Sequence, residues 1–309
     1  MTLRRLGRTD MTIEPLIFGG NVLGWTLEEG EAFKVLDAFV DAGFAAVDTS
    51  DSYGKGKSET ILGNWMKARG NRNKVLVFTK VGSDMGQGHR DLSSGWITQE
   101  VEASLRRLGT DRIDLYQSHW PDPQTPQEET LEAFDRLIRT GKVRWIGSSN
   151  QDDKLLGEAL SVSRSRGLAR YETVQNKFNL VDREAFEGPV QDVCVREEIS
   201  GIGYSSLASG FLSGKYRSAE DAVKSPRGKG VVDRYLNDRS KRVLAAVEAV
   251  ARRRNTTPAA IAIAWIVAQP GVGGAIASAT SPDQLSSLTE GARLSLSSDD
   301  LHQLTDAGR

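Results

Sequence analysis

The chain is poor in the residues that crosslink proteins or bind metals. It has one cysteine, Cys194, so an internal disulfide is impossible and a reducing compartment suits the protein. We interpret Cys194 as a core residue on an apolar helix face rather than as a redox group. The three histidines, His89, His119 and His302, are dispersed, and no Cys/His spacing of the zinc type occurs. We therefore predict no metal site.

Long apolar runs are also missing. The longest, roughly from Ala259 to Ala268, is too short to cross a bilayer. The N-terminal stretch MTLRRLGRTDMT lacks the apolar segment of a secretory signal. These features predict a cytoplasmic protein without a membrane partner.

An excess of charge of either sign is absent. The 309 residues carry 40 basic and 41 acidic side chains, so no electrostatic signal for nucleic acid or an anionic membrane is present. At 39% hydrophobic the chain can bury a large core. Neither low-complexity segments nor a composition shift marks a domain boundary, so we predict one domain over residues 1–309.

Strand-like apolar runs alternate with amphipathic helical runs along the chain. Most of the strand-like runs lack polar alternation, which is typical of parallel strands buried on both faces. They recur at the spacing of βα units and predict a (β/α)8 TIM barrel. The eight runs are LIFGG, AAVDTS, VLVFTK, DLYQSHW, RWIGSSN, TVQNKF, IGYSSL and GGAIAS.

Helix boundaries are predicted from capping residues. In TPQEETLEAFDRLIRTG we expect Thr125 to cap the helix and Glu128 to close a capping box. We expect Thr98 and Thr26 to begin two other helices in the same way. One stretch, Lys215 to Asp238, is polar and basic and predicts a long loop after the seventh strand, of the functional or mobile kind.

Four polar residues stand at or near predicted strand ends: Asp48, Tyr53, Lys80 and His119. In a parallel barrel these ends meet at one rim, which is where the active site lies. A carbonyl oxygen that receives hydride on its carbon needs a proton, and a free tyrosine, with a pKa of about 10, is a slow donor. An ammonium such as Lys80 lowers that pKa, and Asp48 can neutralise the lysine. His119, if neutral, can donate a hydrogen bond to the carbonyl oxygen.

The segments around these residues resemble the aldo-keto reductases. The resemblance rests on GFAAVDTSDSYGKGKSETILG, VLVFTK and DLYQSHWPDP, and it covers nearly the whole chain. It implies a TIM barrel and a bacterial, NADPH-dependent oxidoreductase that reduces an aldehyde or ketone to an alcohol. It also implies that Tyr53 is the proton donor, with Asp48, Lys80 and His119 in the roles above.

No metal-ligand cluster is visible, so we expect an organic hydride source, and the Rossmann fingerprint G-x-G-x-x-G is absent, so a Rossmann site is unsupported. The resemblance implies that the cofactor is NADP, with NAD possible. By resemblance, Ser149, Asn150 and Gln175 hold the nicotinamide carboxamide, and Tyr204 stacks on the ring. Arg227 is our candidate for the 2′-phosphate. The other implied contacts are Gly20, Asn21, Asp48, Ser205, Leu207, Ala208, Gly210, Lys215, Ser278, Thr280 and Gln284.

The cofactor segments depart from the family pattern in several places. Ser206 stands where the pyrophosphate loop usually has proline. Ala277 and Ser278 replace a Pro-Gly pair, and Ser287 and Leu288 replace the acid-amide pair that grips adenine. The preference for NADP over NAD is therefore less secure than the catalytic set.

An aromatic substrate pocket is expected from Trp25, Tyr53, His119 and Trp120, with His89 on the third loop. An equally well supported interpretation is that Trp120 packs under that loop. The partner is a small carbonyl compound of unspecified identity, and the sequence carries no signal for oligomeric state.

Three alternatives stand beside the reductase. A regulatory barrel that binds NADPH and senses redox state, as potassium-channel β-subunits of this family do, would keep the same residues; the absence of an added N-terminal segment argues mildly for a plain enzyme. A Schiff-base aldolase would use Lys80. A short-chain dehydrogenase pattern is matched by Tyr53 and Lys57, but that pattern needs a helix, and Gly54 and Gly56 lie between them.

Overall fold

A computed structural model describes residues 3–309, which form one domain around a closed barrel of eight parallel strands. The eight strands pair around the barrel in the order in which they follow one another along the chain, and the last strand also pairs the first. All eight predicted strands and the TIM barrel are therefore confirmed. The strands are β1 Arg4–Arg5, β2 Thr12–Ile13, β3 Leu16–Gly19, β4 Ala46–Asp48, β5 Leu76–Val81, β6 Ile113–Ser118, β7 Val143–Ser149, β8 Thr173–Lys177, β9 Ser200–Tyr204 and β10 Val272–Ala277.

Helices surround the barrel and follow its strands. The α-helices are α1 Glu29–Asp41, α2 Lys57–Arg69, α3 Ser94–Leu108, α4 Gln127–Arg139, α5 Asp153–Arg166, α6 Pro189–Glu197, α7 Gly228–Tyr235, α8 Asp238–Arg254, α9 Pro258–Val267, α10 Pro282–Arg293 and α11 Ser298–Ala307. Short 3-10 helices occupy Gly20–Val22, Arg72–Lys74, Ala208–Ser213 and Ala219–Lys224. None of the helices in residues 3–309 combines the length and apolarity that a membrane crossing requires.

Two apolar cores hold the fold. The larger one lies between strands and helices, as expected for strands buried on both faces. The smaller one fills the barrel interior, and the antiparallel pair β1–β2 adds to it. Its members are Leu6, Met11, Ile13, Ile17, Ala46, Phe78, Leu115, Ile202 and Ile276.

The interior turns polar at the carboxyl ends of the strands. In three adjacent strands the residue two positions after an inner-core side chain is Asp48 in β4, Lys80 in β5 and Gln117 in β6. Because residues two apart on a strand face the same side, these three side chains lie above the apolar layer. Inside the barrel, a layer of polar side chains at the carboxyl ends of the strands thus lies directly above the apolar core.

The predicted helix starts were wrong in detail. Pro126, not Thr125, precedes α4, and the Thr125 hydroxyl donates to Asp122 at 2.6 Å instead. The helix α3 begins earlier than Thr98, because the Ser93 side chain accepts a hydrogen bond from the Trp96 amide. Likewise Glu28, rather than Thr26, precedes α1. The residues that precede α1 and α4 make no side-chain capping hydrogen bond, so capping residues in the sequence did not mark these starts.

The connection after β9, the seventh barrel strand, lies where the long loop was predicted but is largely helical. Residues 219–224 form a 3-10 helix that begins with a capping box between Ser218 and Asp221. The α7 helix follows and buries Val231 and Tyr235. The apolar spacing of these two residues was concealed by the charges and glycines around them.

Candidate active site

The four residues predicted to act together do lie together at the carboxyl end of the barrel. Asp48 ends β4, Lys80 is near the end of β5 and His119 directly follows β6. Tyr53 lies on the loop between β4 and α2. Residues up to 71 positions apart in the chain therefore share one site, because parallel strands end at the same rim.

Lys80 is at the centre of this group. Its Nζ donates to Asp48 Oδ2 at 2.6 Å and to the Thr49 carbonyl at 2.8 Å. It also lies 3.5 Å from the Tyr53 hydroxyl and 4.9 Å from the centroid of that ring. Lys80 has no exposed surface, so a charge at this position needs its partners.

The pKa of Tyr53 differs from our expectation. Burial raises the pKa of Tyr53, and this outweighs the opposite effect of the Lys80 ammonium, while Asp48 adds to the rise. Burial lowers the pKa of Lys80, but Asp48 and Tyr53 more than compensate, so its net direction is upward. Without a ligand the phenol therefore holds its proton at neutral pH and the amine is an ammonium. An ammonium is not a nucleophile, which argues against the Schiff-base aldolase.

His119 is a neutral imidazole in this setting. Burial, and then the charges of Lys80 and Arg90, hold the pKa of His119 well below its usual value. Its ring meets Tyr53 edge-on with centroids 5.9 Å apart. Its Nδ1 lies 2.9 Å from Ser83 Oγ and 3.1 Å from Ser50 Oγ. With Nδ1 engaged by hydroxyls, Nε2 is the nitrogen available to a ligand.

The sequence reasoning missed Gln117. The Asp48 Oδ1 atom accepts from Gln175 Nε2 at 2.8 Å and from Gln117 Nε2 at 3.3 Å. Both amides are buried, and they orient the carboxylate that neutralises Lys80. The position of Gln117 in β6, two residues before His119, was the available signal.

The residues implied to hold a carboxamide also lie together. Asn150 has a left-handed backbone at φ 59°, and its Nδ2 donates to the His119 carbonyl at 2.8 Å and to Ser149 Oγ at 3.0 Å. The Tyr204 hydroxyl donates to Asn150 Oδ1 at 2.8 Å. Donors and acceptors beside a half-buried aromatic ring fit an amide-bearing ring such as nicotinamide.

The loop after β9 has an unusual backbone. Positive φ angles occur at Ser205 (56°), Ala208 (48°), Ser209 (56°) and Gly210 (95°). Such angles are strained for residues other than glycine and cluster at functional sites, and left-handed turns form anion-binding concavities. Ser206, where the family usually has proline, anchors the loop by donating to the Ile276 carbonyl at 2.7 Å. The departure therefore leaves the loop tethered to β10.

Arg227 connects the segment after β9 to the loop after β3, the first barrel strand. With its amide nitrogen toward Ser278, Asn21 donates to Ser278 Oγ at 2.7 Å and accepts from Arg227 at 3.0 Å. The Arg227 guanidinium also lies 4.4 Å from the ring centroid of Trp25. Asn21, Arg227 and Ser278, predicted from three separate segments, thus form one cluster.

Other predicted residues are outside these contacts. Lys215 is exposed, and its amine lies 5.5 Å from the ring centroid of Tyr216. Thr280 and Gln284 hydrogen bond to each other on the exposed rim. Gly20 packs closely against its neighbours. A Cβ atom at this position would come within 2.8 Å of the Asp48 carbonyl oxygen, so glycine is required there for packing. Leu207 packs against the outer core.

The predicted aromatic residues divide into two places. Trp120 is half-buried and stacks on His119 with centroids 5.7 Å apart, while Arg90 lies 4.7 Å from its ring. Trp25 is 51% exposed and belongs to the Arg227 cluster. His89 is exposed, with its Nε2 3.9 Å from Asp91.

The short-chain dehydrogenase pattern is not formed. Lys57 begins α2 while Tyr53 precedes it in a loop with φ 58° at Gly54 and 86° at Gly56. The Lys57 amine lies 3.5 Å from Glu28 on the surface. Among residues 3–309, no three or more His, Cys, Asp or Glu side chains are grouped to hold a metal ion.

Buried ionisable side chains at the carboxyl ends of barrel strands are typical of TIM-barrel enzymes, and fold and site assign the chain to that class. Sequence comparison narrows the class, since the pattern of the Aldo/keto reductase family matches residues 15–309. The chain belongs to this family of oxidoreductases.

Three relatives illustrate its range. The chain is similar to the aldo-keto reductase YhdN of Bacillus subtilis (35% identity; 91% of this chain and 84% of the relative). It is similar to protein tas of Escherichia coli (30%; 98% and 96%). It is also similar to a probable voltage-gated potassium channel subunit beta of rice (30%; 92% and 89%).

Proposed function

We propose that this protein reduces an aldehyde or ketone to an alcohol with NADPH, and that Tyr53 donates the proton. The observation that carries the proposal is the placement of the Tyr53 hydroxyl 3.5 Å from a buried ammonium and beside a neutral imidazole. Tyr53 holds a proton to give, Lys80 stabilises the phenolate that remains, and His119 donates a hydrogen bond to the carbonyl oxygen.

The residues around this group fit the proposed cofactor. Ser149, Asn150 and Gln175 offer hydrogen bonds to a carboxamide, and Tyr204 offers a ring face. The strained loop from Ser205 to Gly210 suits a pyrophosphate. Further along, Arg227 suits a 2′-phosphate. Bound NADPH supplies the hydride; the protein's part is to orient the carbonyl and deliver the proton.

The test is steady-state oxidation of NADPH with a panel of small aldehydes and ketones, for the wild type and Tyr53→Phe. We expect turnover by the wild type and a loss of about 100-fold or more in kcat for Tyr53→Phe, the scale of lost general acid catalysis. NADPH binding, followed by fluorescence titration, should be unchanged in the variant. Near-native turnover by Tyr53→Phe would remove the assignment.

A second candidate is an NADPH-binding regulatory subunit that senses redox state. The similarity to the rice channel subunit favours it. The same panel of carbonyl compounds separates the two candidates. A sensor binds NADPH, but its rate of NADPH oxidation stays at the uncatalysed background with every carbonyl compound in the panel.

A further inference from the structure

Ser50 and Asp51 connect the candidate site to a buried acidic cluster that the proposed reaction does not use. The Ser50 hydroxyl lies 3.1 Å from His119 Nδ1 and 2.8 Å from Asp51 Oδ1. The Ser52 amide also donates to Asp51 Oδ1, at 2.6 Å. A continuous row of hydrogen bonds therefore runs from Asp51 through Ser50 to His119.

Asp51 is fully buried and lacks a cation of its own. Its Oδ2 atom has no hydrogen-bonding partner within residues 3–309. Arg107, the cation of the cluster, pairs with Glu59 at 2.7 Å and with Glu100 at 3.5 Å. Two of the three carboxyl groups thus pair with the guanidinium of Arg107, and Asp51 has no ion pair among residues 3–309.

The ionisable groups facing Asp51 come from every element packed around it. Besides Asp51 they are Tyr53 on the same loop, Glu59 of α2, Glu100 and Arg107 of α3, and Tyr116 of β6. Negative charge outnumbers positive in this set, and desolvation also disfavours a further carboxylate.

We propose that Asp51 is a positioning residue which, through Ser50, determines which nitrogen of His119 carries the hydrogen and thereby makes carbonyl reduction pH-dependent. This deepens the proposed function and rests on it. When Asp51 is protonated, its hydroxyl donates to Ser50, Ser50 donates to Nδ1, and Nε2 carries the hydrogen that the carbonyl oxygen needs. When Asp51 is ionised, Ser50 donates to the carboxylate and accepts from Nδ1–H, so Nε2 has only a lone pair.

The conversion between these states balances as a proton relay. The Asp51 proton passes to Ser50, the Ser50 proton passes to Nδ1, and the Nε2 proton leaves to solvent. One proton is lost and no electrons move. Ser83 tolerates both states, since its hydroxyl can donate to Nδ1 or accept from it at 2.9 Å.

The direction of the pKa shifts is consistent with this relay in the physiological range. Burial raises the pKa of Asp51 to about 7, with smaller contributions from Glu59 and Glu100. The pKa of His119 is well below its usual value, so the ring is neutral on both sides of the transition. The change is therefore one of tautomer and not of ring charge.

The experiment is ¹⁵N NMR of the protein labelled at histidine, without cofactor, from pH 5.5 to 9. Three histidines give a simple spectrum, and His89 and His302 are exposed whereas His119 is buried. In the wild type we expect His119 to change from the Nε2–H to the Nδ1–H tautomer with a midpoint near neutral pH. Asp51→Asn and Ser50→Ala should each hold one tautomer throughout, and the matched control Ser83→Ala should keep the transition.

Activity provides the second readout. We expect kcat of the wild type to fall at least fivefold above the same midpoint and the kcat of Asp51→Asn to be flat with pH. A wild-type His119 that keeps one tautomer over the whole range overturns the inference, as does a transition that persists in Asp51→Asn or in Ser50→Ala. If Asp51→Asn does not fold, the wild type and Ser50→Ala decide. A transition in a protein that reduces no carbonyl would contradict the proposed function and leave the relay intact.

Discussion

Asp48 and Asp51 show how strongly the partners of a buried carboxylate determine its chemistry. Asp48 is paired with Lys80 at 2.6 Å and accepts from two amides. Asp51, three residues later, accepts from Ser50 and the Ser52 amide but pairs with no cation among residues 3–309. Both residues are at most 1% exposed, so burial alone does not distinguish them. The difference is the ammonium, which one carboxylate has and the other lacks.

We predict that Asp51→Asn stabilises the protein increasingly as pH rises. The pKa of Asp51 is raised by burial from 3.8 to about 7, so folding favours the protonated form and the folded state loses stability as the group ionises. The free energy of unfolding of the variant, relative to that of the wild type, should increase by about 3 kcal/mol between pH 5 and pH 8.5, since each pKa unit corresponds to about 1.36 kcal/mol. Urea unfolding at the two pH values measures it.

The control for this prediction is Asp41→Asn, at an exposed aspartate near the end of α1. Its stability relative to the wild type should not change with pH. If the free energies of unfolding of Asp51→Asn and the wild type differ by the same amount at both pH values, Asp51 does not titrate in this range.

At the scale of elements, the segment from Lys215 to Asp238 carries Arg227, the residue proposed to bind the 2′-phosphate. Its two short helices hold Arg227 against Asn21 and Trp25, which come from the loop after the first barrel strand. The segment thus bridges the rim between β9 and β3. Its polar composition predicted a loop, while the burial of Val231 and Tyr235 makes it a packed element.

We predict that Arg227→Ala weakens NADPH binding by about tenfold or more and changes NADH binding little. A hydrogen bond to a charged group contributes about 1.5–3 kcal/mol, and only NADPH has the 2′-phosphate. Fluorescence titration of both cofactors measures the effect. Arg217→Ala is the matched control, because Arg217 lies in the same segment but pairs with Glu248 on the surface.

An equal loss for NADPH and NADH would give Arg227 a different role. Arg227 would then act by holding Asn21 and Trp25 in place, and a different residue would have to recognise the 2′-phosphate.

At the scale of the whole molecule, barrel closure brings the candidate site together. Gln175 and Asp48 are separated by 127 residues, yet their side chains lie 2.8 Å apart. The residues proposed to bind the cofactor lie at the ends of β3, β7, β8, β9 and β10, so a dinucleotide bound to them would contact both sides of the closure between β10 and β3. Its binding is therefore expected to stabilise the entire barrel.

We predict that NADPH at 100 times its Kd raises the free energy of unfolding by about 2.7 kcal/mol, as expected for one site that exists only in the folded state. Urea or thermal unfolding with and without NADPH measures the change. Tyr53→Phe should be stabilised equally, because the Tyr53 hydroxyl is outside the proposed cofactor contacts. Absence of any shift with either nicotinamide cofactor would remove the cofactor half of the proposal.

The sequence by itself determined the eight strands and the placement of Asp48, Tyr53, Lys80 and His119 at one rim. It could do so because uninterrupted apolar runs predict strands buried on both faces, and parallel strands present their carboxyl ends together. Helix starts and the helices within residues 215–238 were missed. The helices α1 and α4 begin without a side-chain cap, and charged residues and glycines concealed the apolar spacing of Val231 and Tyr235 in α7.

Only the tertiary structure decided the electrostatics of the site. It revealed that burial outweighs Lys80 in setting the pKa of Tyr53, that Gln117 orients Asp48, and that Asp51 stands without a cation. The physical reason is that a pKa depends on distances and burial among side chains from different strands and helices. Those distances are fixed only when the barrel closes.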